Sequence, residues 1–184
     1  MFDVDAFVDA MAHVRPTCKN VVVIFSSGLI LLEQQAQALR DELEARNISC
    51  NLVHVDGVNS VYDKARARIS KNTDMVVILR DYVTNSSLQT LVRICSETGS
   101  TLFASDAHSV EQGAAAGYCL DEYEIGLLVG EHAAKVLKAP EAVRDIPMMY
   151  LQADQLCSLH VNPFAMKKQG IQTSLKDFLM KKGM

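Results

Sequence analysis

The sequence predicts an α/β fold: a three-layer sandwich whose five-stranded parallel sheet, in the order 2-1-3-4-5, carries helices on both faces. Short apolar runs rich in Val and Ile alternate with amphipathic helical stripes from Asn20 to Val136. The connections between successive runs are too long for hairpins, so the strands run parallel and right-handed crossovers carry the helices over the sheet. The chain has 184 residues, 49% hydrophobic and 22% charged, which fits one main core and excludes disorder.

Each element follows from its own pattern. Phe7, Met11 and Val14 recur at helical spacing before Pro16, giving a helix from about Asp3 to Val14. Residues 20–25 read as a strand whose continuous apolar run, Val21 to Phe25, marks burial on both faces. Leu32, Ala36, Leu39 and Leu43 mark a helix whose outer side is Glu33, Arg40, Asp41, Glu44 and Arg46. A second strand covers 50–55 and ends at Asp56-Gly57. Val61, Ala65 and Ile69 give a helix, and 74–79 a third strand. Leu88, Leu91, Val92 and Cys95 give the next helix, capped by Asn85 or Ser86 and stopped by Gly99. Strands follow at 101–104 and 115–120. Asp121 with Glu124 reads as a capping pair for a long helix through Ile125, Val129, Ala133 and Val136, whose Gly126 and Gly130 let it lie close on the sheet. After Pro140 the pattern weakens: 147–151 and 156–161 read as short strands, 163–168 and 175–181 as short helices. The chain divides into an α/β ligand-binding lobe, 1–155, and a docking segment, 156–184, whose stripe of Ile171, Leu175, Phe178 and Leu179 predicts burial.

Charge and cysteine content narrow the function. Net charge is −4, but residues 167–184 hold five Lys against Asp177 alone, leaving −8 for the rest. A basic tail on an acidic body is not the basic face of a nucleic-acid protein. Five cysteines without repeated spacing argue against a disulfide framework and fit a reducing compartment. No apolar run approaches a membrane span. Asp3, Asp5 and Asp9 with no early Lys are the opposite of a signal peptide's basic start, so the chain as it stands is expected to be cytoplasmic.

Ligands of open parallel sheets bind beyond the carboxyl ends of the strands. Those ends read Ser26-Ser27-Gly28, Asp56-Gly57, Arg80-Asp81-Tyr82 and Ser105-Asp106-Ala107-His108. They combine hydroxyls and carboxylates suited to a small polar molecule, and the same residue types also cap helices. Several catalytic readings fail. No Gly-Lys-Ser/Thr follows Ser26-Ser27-Gly28, so it is not a nucleotide P-loop. Strand one ends without the acidic residues a phosphoacceptor domain needs. Ser105, Asp106 and His108 sit in one loop, whereas a working triad draws on separate loops, and His108 reads as a solvent-facing residue. Cys157-x-x-His160 offers two metal ligands and no partner pair.

The stretch Phe103-Ala104-Ser105-Asp106-Ala107-His108-Ser109-Val110-Glu111-Gln112-Gly113-Ala114, with Tyr123-Glu124-Ile125-Gly126 and Gly130-Glu131, resembles a bacterial family of ABC transporter substrate-binding proteins that includes aromatic amino-acid binders. Asp145-Ile146-Pro147, Val161-Asn162 and Lys168-x-Gly170-Ile171 resemble that family's closing segments. The resemblance implies one flavodoxin-like lobe of a type I periplasmic-binding-protein fold, covering the C-terminal half of such a protein. It implies a periplasmic or membrane-anchored address if the chain belongs to a full family protein. It also implies an ABC permease as partner, with the first lobe or a second copy of the chain completing the cleft. The chain departs from the family pattern at Ser26-Ser27-Gly28, where an Asn-Pro-like turn is usual, and at Leu127, where Arg is common.

The leading expectation is therefore a non-catalytic solute-binding lobe, with no cofactor and no metal, that takes an amino acid through Ser26, Ser27, Asp81, Tyr82, Ser105 and Asp106. Asp106 or Asp81 receives the ammonium, Ser105 and Ser26 the carboxylate, and Tyr82 stacks on a ring. A homodimer at micromolar concentration is expected. The alternatives are a flavodoxin-like cofactor carrier using the Ser26-Ser27-Gly28 loop and a stand-alone sensor or interaction module.

Overall fold

The computed structural model describes residues 3–138 and 156–171, with Arg144 and Pro147 between them. In chain order the elements are α1 (Val4–Val14), β1 (Asn20–Ser26), α2 (Ile30–Ala45), β2 (Ser49–Val55), α3 (Val58–Arg68), β3 (Met75–Ile78), α4 (Tyr82–Ser86) and α5 (Leu88–Thr98). They continue with β4 (Thr101–Ala104), α6 (Ala107–Glu111), β5 (Ala116–Leu120), α7 (Glu122–Lys138), β6 (Cys157–Val161) and α8 (Pro163–Lys168). One sheet runs β2-β1-β3-β4-β5-β6. Its first five strands pair in parallel, as the strand–helix alternation requires. The expected count of five is corrected to six: β6 joins β5 antiparallel, from Leu120↔Cys157 to Ala116↔Val161. The short strand read at 156–161 is present as β6; what its pattern of half-buried residues did not announce is its place in this sheet.

The two faces of the sheet divide the core. On one, Phe7 and Met11 of α1 and Leu32, Leu39 and Leu43 of α2 pack on Val21, Val23, Phe25 and Phe103. On the other, Val61 and Ala65 of α3 and Leu91, Ile94 and Cys95 of α5 pack on Val22, Ile24, Val76, Ile78 and Leu102. All four residues of β3 and all four of β4 are buried, which explains the apolar runs 75–78 and 102–104. Each large side chain so buried stabilises the fold by about 1.5–3 kcal/mol relative to exposure. Gly117 is required where β5 meets β4, because a Cβ there would come within 2.6 Å of the Ala104 carbonyl oxygen.

The segment at 156–171 belongs to this sheet and core. Besides β6, Met166 of α8 and Ile171 are buried in the cluster under α1 and α2. Leu175, Phe178 and Leu179, the strand expected at 147–151 and the helix expected at 175–181 fall outside the described residues, Pro147 excepted. Two local expectations are corrected. Asn85 and Ser86 do not cap α5: Asp81 first caps the extra turn of α4, and Ser87 stands before Leu88. Gly126 and Gly130 do not seat α7 on the sheet. None of α7's residues is buried, and a Cβ added at either glycine would meet open space. Its half-buried line is Ile125, Leu128, His132 and Val136, leaving Val129 and Ala133 exposed.

Burial also sets a pH dependence. It pushes the Cys18 thiol up to about 11 and the Cys119 thiol up to about 12, from an ordinary 9.0. The folded chain holds protons that the unfolded chain sheds above pH 9, so this contribution is complete below pH 9 and is lost as pH rises towards 11–12. Urea midpoints measured from pH 8 to 11 should fall more steeply for the wild type than for Cys18→Ala/Cys119→Ala. Equal slopes would show that the two thiols do not differ between the states.

Candidate functional site

The sheet order places a topological switch between β1 and β3. From β1 the chain crosses to β2 through α2, which lies on one face. It leaves β3 through α4 and α5 towards the other face. The loops after β1 and β3 diverge, and a crevice opens between them at the carboxyl edge. Ser26, Ser27, Asp81, Tyr82, Ser105 and Asp106 all lie on that edge, at the ends of β1, β3 and β4.

Hydrogen bonds tie the loops into one row. The Ser26 N–H donates to Asp81 Oδ2 at 3.1 Å across the switch, and Asp81 Oδ1 accepts from the Thr84 N–H at 2.9 Å. Ser26 and Asp81 are both buried. The Arg80 N–H donates to Ser105 Oγ at 2.8 Å, joining the ends of β3 and β4. Asp106, also buried, accepts from the Ser109 N–H at 2.9 Å and from Ser109 Oγ at 2.8 Å. Each aspartate therefore caps a one-turn helix, while each carboxylate oxygen keeps a second lone pair.

The other two candidates are not bonded into this row. Ser27 turns towards β2: its Oγ donates to Asp56 Oδ1 at 2.9 Å, and its N–H to the Val55 carbonyl. Asp56 also pairs with Lys64, whose ammonium, with help from Ser27, holds the carboxyl below its ordinary range. Tyr82 stands 82% exposed at the start of α4, so its ring is open to a partner. His108 is exposed in α6, as expected of a solvent-facing residue, though in a helical turn. Cys157 and His160 lie three apart on β6 and so point to opposite faces of the strand, which prevents their sharing a metal.

Sequence reasoning did not select Arg80 and Glu122 as site residues. Arg80 follows Leu79 at the end of β3, and its guanidinium pairs with Glu122, the first residue of α7. The one available signal was position, since Arg80 directly follows the third apolar run. Asp121 does cap α7, its Oδ1 accepting from the N–H groups of Tyr123 and Glu124. An open groove of about 840 Å³ lies away from this row, between α2 and β2, flanked by Glu33, Arg40, Asp41 and His54. Its walls mix charged and amide side chains of α2 with Cys50, Asn51 and Leu52 of β2, unlike the mostly apolar, enclosing walls of a small-molecule site.

A lobe with helices on both faces of a mostly parallel sheet, and a polar row at the switch point, is of the kind seen in periplasmic binding proteins. The chain belongs to the ABC transporter substrate binding protein family, whose pattern matches residues 1–181. It is 23% identical over 153 residues to the tyrosine-binding protein of Clostridioides difficile (strain R20291), a match that takes in 83% of this chain and 44% of that one. The chain spans about half the length of the curated relatives it matches. Among solved structures it resembles the ligand-free, open structure of a substrate binding protein with adhesive properties from Clostridium difficile, with a TM-score of 0.78 and 21% identity. It also resembles an ABC domain in complex with L-Trp from Streptococcus pneumonia, with a TM-score of 0.76 and 17% identity. Each comparison covers 96% of this chain and 58% of the other, and at these identities the likeness shows the fold.

Proposed function

We propose that this chain is one ligand-binding lobe of an ABC transporter substrate-binding protein and holds an amino acid at the carboxyl edge of its sheet without transforming it. The observation that carries the reading is the row of buried Ser26, Asp81 and Asp106 with half-buried Ser105 at the switch point of a chain in this family, in which Ser26 is bonded to Asp81 and Ser105 to the Arg80 N–H. The tyrosine-binding relative and the L-Trp complex support an aromatic side chain on the ligand. In this reading Tyr82 stacks on the ring, and the free lone pairs of Asp81 and Asp106 receive the ammonium. The protein serves a permease, at an extracytoplasmic address.

Tyr82 stands exposed beside the row, and in this reading a second body covers it and completes the site. α7 supports one: a helix of 17 residues buries none of them, with Tyr123 72% and Leu137 79% exposed. That body is the other lobe of the longer protein; in its place a second copy of the chain uses the same surface and gives the homodimer. Variants of α7 test the dimer better than removing 156–184, because β6 and Met166 are part of the core.

Calorimetry tests the function. The chain alone should bind L-tryptophan and L-tyrosine with a Kd on the order of millimolar or weaker, because tight sites bury about 70–90% of the ligand. Joined to the remaining half of a relative, it should bind far more tightly. Asp106→Asn, which preserves an acceptor for the Ser109 N–H, should then weaken binding at least about tenfold. Micromolar binding by the isolated monomer would show that the site needs no second lobe. Failure of the joined protein to bind any amino acid would overturn the reading.

A further inference from the structure

We propose that Arg80 recognises the carboxylate of the ligand and that Glu122 competes with the ligand for the same guanidinium. The proposal rests on the carboxyl edge being the amino-acid site and assigns one half of the ligand's charge to a residue there.

The placement of Arg80 carries the argument. Its backbone is held at the end of β3 by the bond to Ser105 Oγ. Its side chain reaches Glu122 at the start of α7, beyond the end of β5. Since β4 lies between β3 and β5, the guanidinium is laid across the Ser105-Asp106 end of that strand. It therefore sits over the row that the ligand would occupy. The Arg80 side chain is 60% exposed and that of Glu122 67%, so water screens their attraction and exchanging the pair costs little. A ligand carboxylate bound bidentately by the guanidinium fork replaces Glu122 in kind.

Charge makes a cation necessary at this edge. The loops there present Asp81, Asp106, Asp121 and Glu122, which together repel a carboxylate. Lys64 is committed at the β2 end, with its ammonium on Asp56 and on the His54 carbonyl at 2.9 Å. Arg80 supplies a cation at the β3–β4 end of the row, held by an exposed pair with Glu122. An α-amino acid placed there sets its carboxylate towards Arg80 and its ammonium towards Asp81 or Asp106. The two ends of the ligand are thereby told apart. Because Glu122 begins α7, binding also frees the first turn of that helix from its tie to β3.

The test is an NMR titration of the ¹⁵N-labelled chain with two probes, L-tryptophan and tryptamine, the second lacking the carboxylate. The wild type should bind L-tryptophan about tenfold more tightly than tryptamine, the discrimination expected of one charge-assisted bidentate contact. Arg80→Gln should lower L-tryptophan affinity to the tryptamine level without weakening tryptamine. Arg80→Lys, which keeps the charge and loses the fork, should fall between the two. Glu122→Gln should tighten L-tryptophan about two- to fivefold, as removal of a weak competitor requires. Dispersed spectra for each variant report that the fold is intact, as expected for exposed side chains. If the wild type binds L-tryptophan and Arg80→Gln binds it equally well, the proposal is overturned while the amino-acid site stands. Where the chain alone binds neither probe, the same comparison is made in the joined protein, and if that too binds neither, the amino-acid reading falls and takes the proposal with it.

Discussion

Replacing Phe103 with alanine is expected to lower the free energy of unfolding by about 3–5 kcal/mol. Phe103 lies in β4, fully buried, with its ring edge-on to Phe7 of α1 at 5.1 Å and 86°. Its register partners Val77 and Ala116 are held in neighbouring strands, so the walls cannot close into the space the ring leaves. The lost aromatic pair adds about 0.5–1.5 kcal/mol within that total. Urea melts of Phe103→Ala, Phe7→Ala and the double variant measure the effect and the coupling. A loss below about 1.5 kcal/mol for Phe103→Ala would mean that α1 is not seated on β4 as described.

Gln169→Ala is expected to be nearly as damaging, although it removes a polar side chain. Gln169 is fully buried; its Oε1 accepts from the Leu102 N–H at 2.8 Å, and its Nε2 donates to the Gly113 carbonyl at 2.9 Å. β5 pairs with β4 only from Phe103 onward, so Gln169 supplies the partner that the strand does not. Removing it leaves two backbone groups unpaired, at about 1–3 kcal/mol each. Gln169→Glu should do no better, because its carboxylate cannot donate to Gly113. Amide exchange at Leu102 should speed up in Gln169→Ala, where its N–H loses its acceptor. A Gln169→Ala protein as stable as the wild type would show that water takes over both bonds.

The central strands were legible because burial on both faces leaves no choice of residue. Met75, Val76, Val77 and Ile78 can be read as a strand with no knowledge of their neighbours. The one-turn helices α4 and α6 were not legible, since five residues are too few to repeat a helical stripe. The places of the candidate residues at the strand ends were legible for a related reason: they follow the apolar runs. Their engagements were not. A carboxylate that caps its own helix and one that faces a ligand are the same letter in the sequence. Only the bonds from Ser26 and Thr84 to Asp81, and from Ser109 to Asp106, show what each oxygen already holds.

From the residues alone followed a parallel sheet in the order 2-1-3-4-5, its two covered faces and the row of polar strand ends. Each of these is recorded locally, as the environment of one residue repeated at the period of its element. The tertiary structure decided that the chain returns after α7 to add β6, that α7 stays unburied, and that Arg80 reaches Glu122. It also decided that Gln169 completes β4. The partners in these bonds are 42, 56 and 67 residues apart, and no periodicity links positions so distant. Their meeting depends on where the folded sheet brings the chain back, a consequence of the whole packing that no single segment contains.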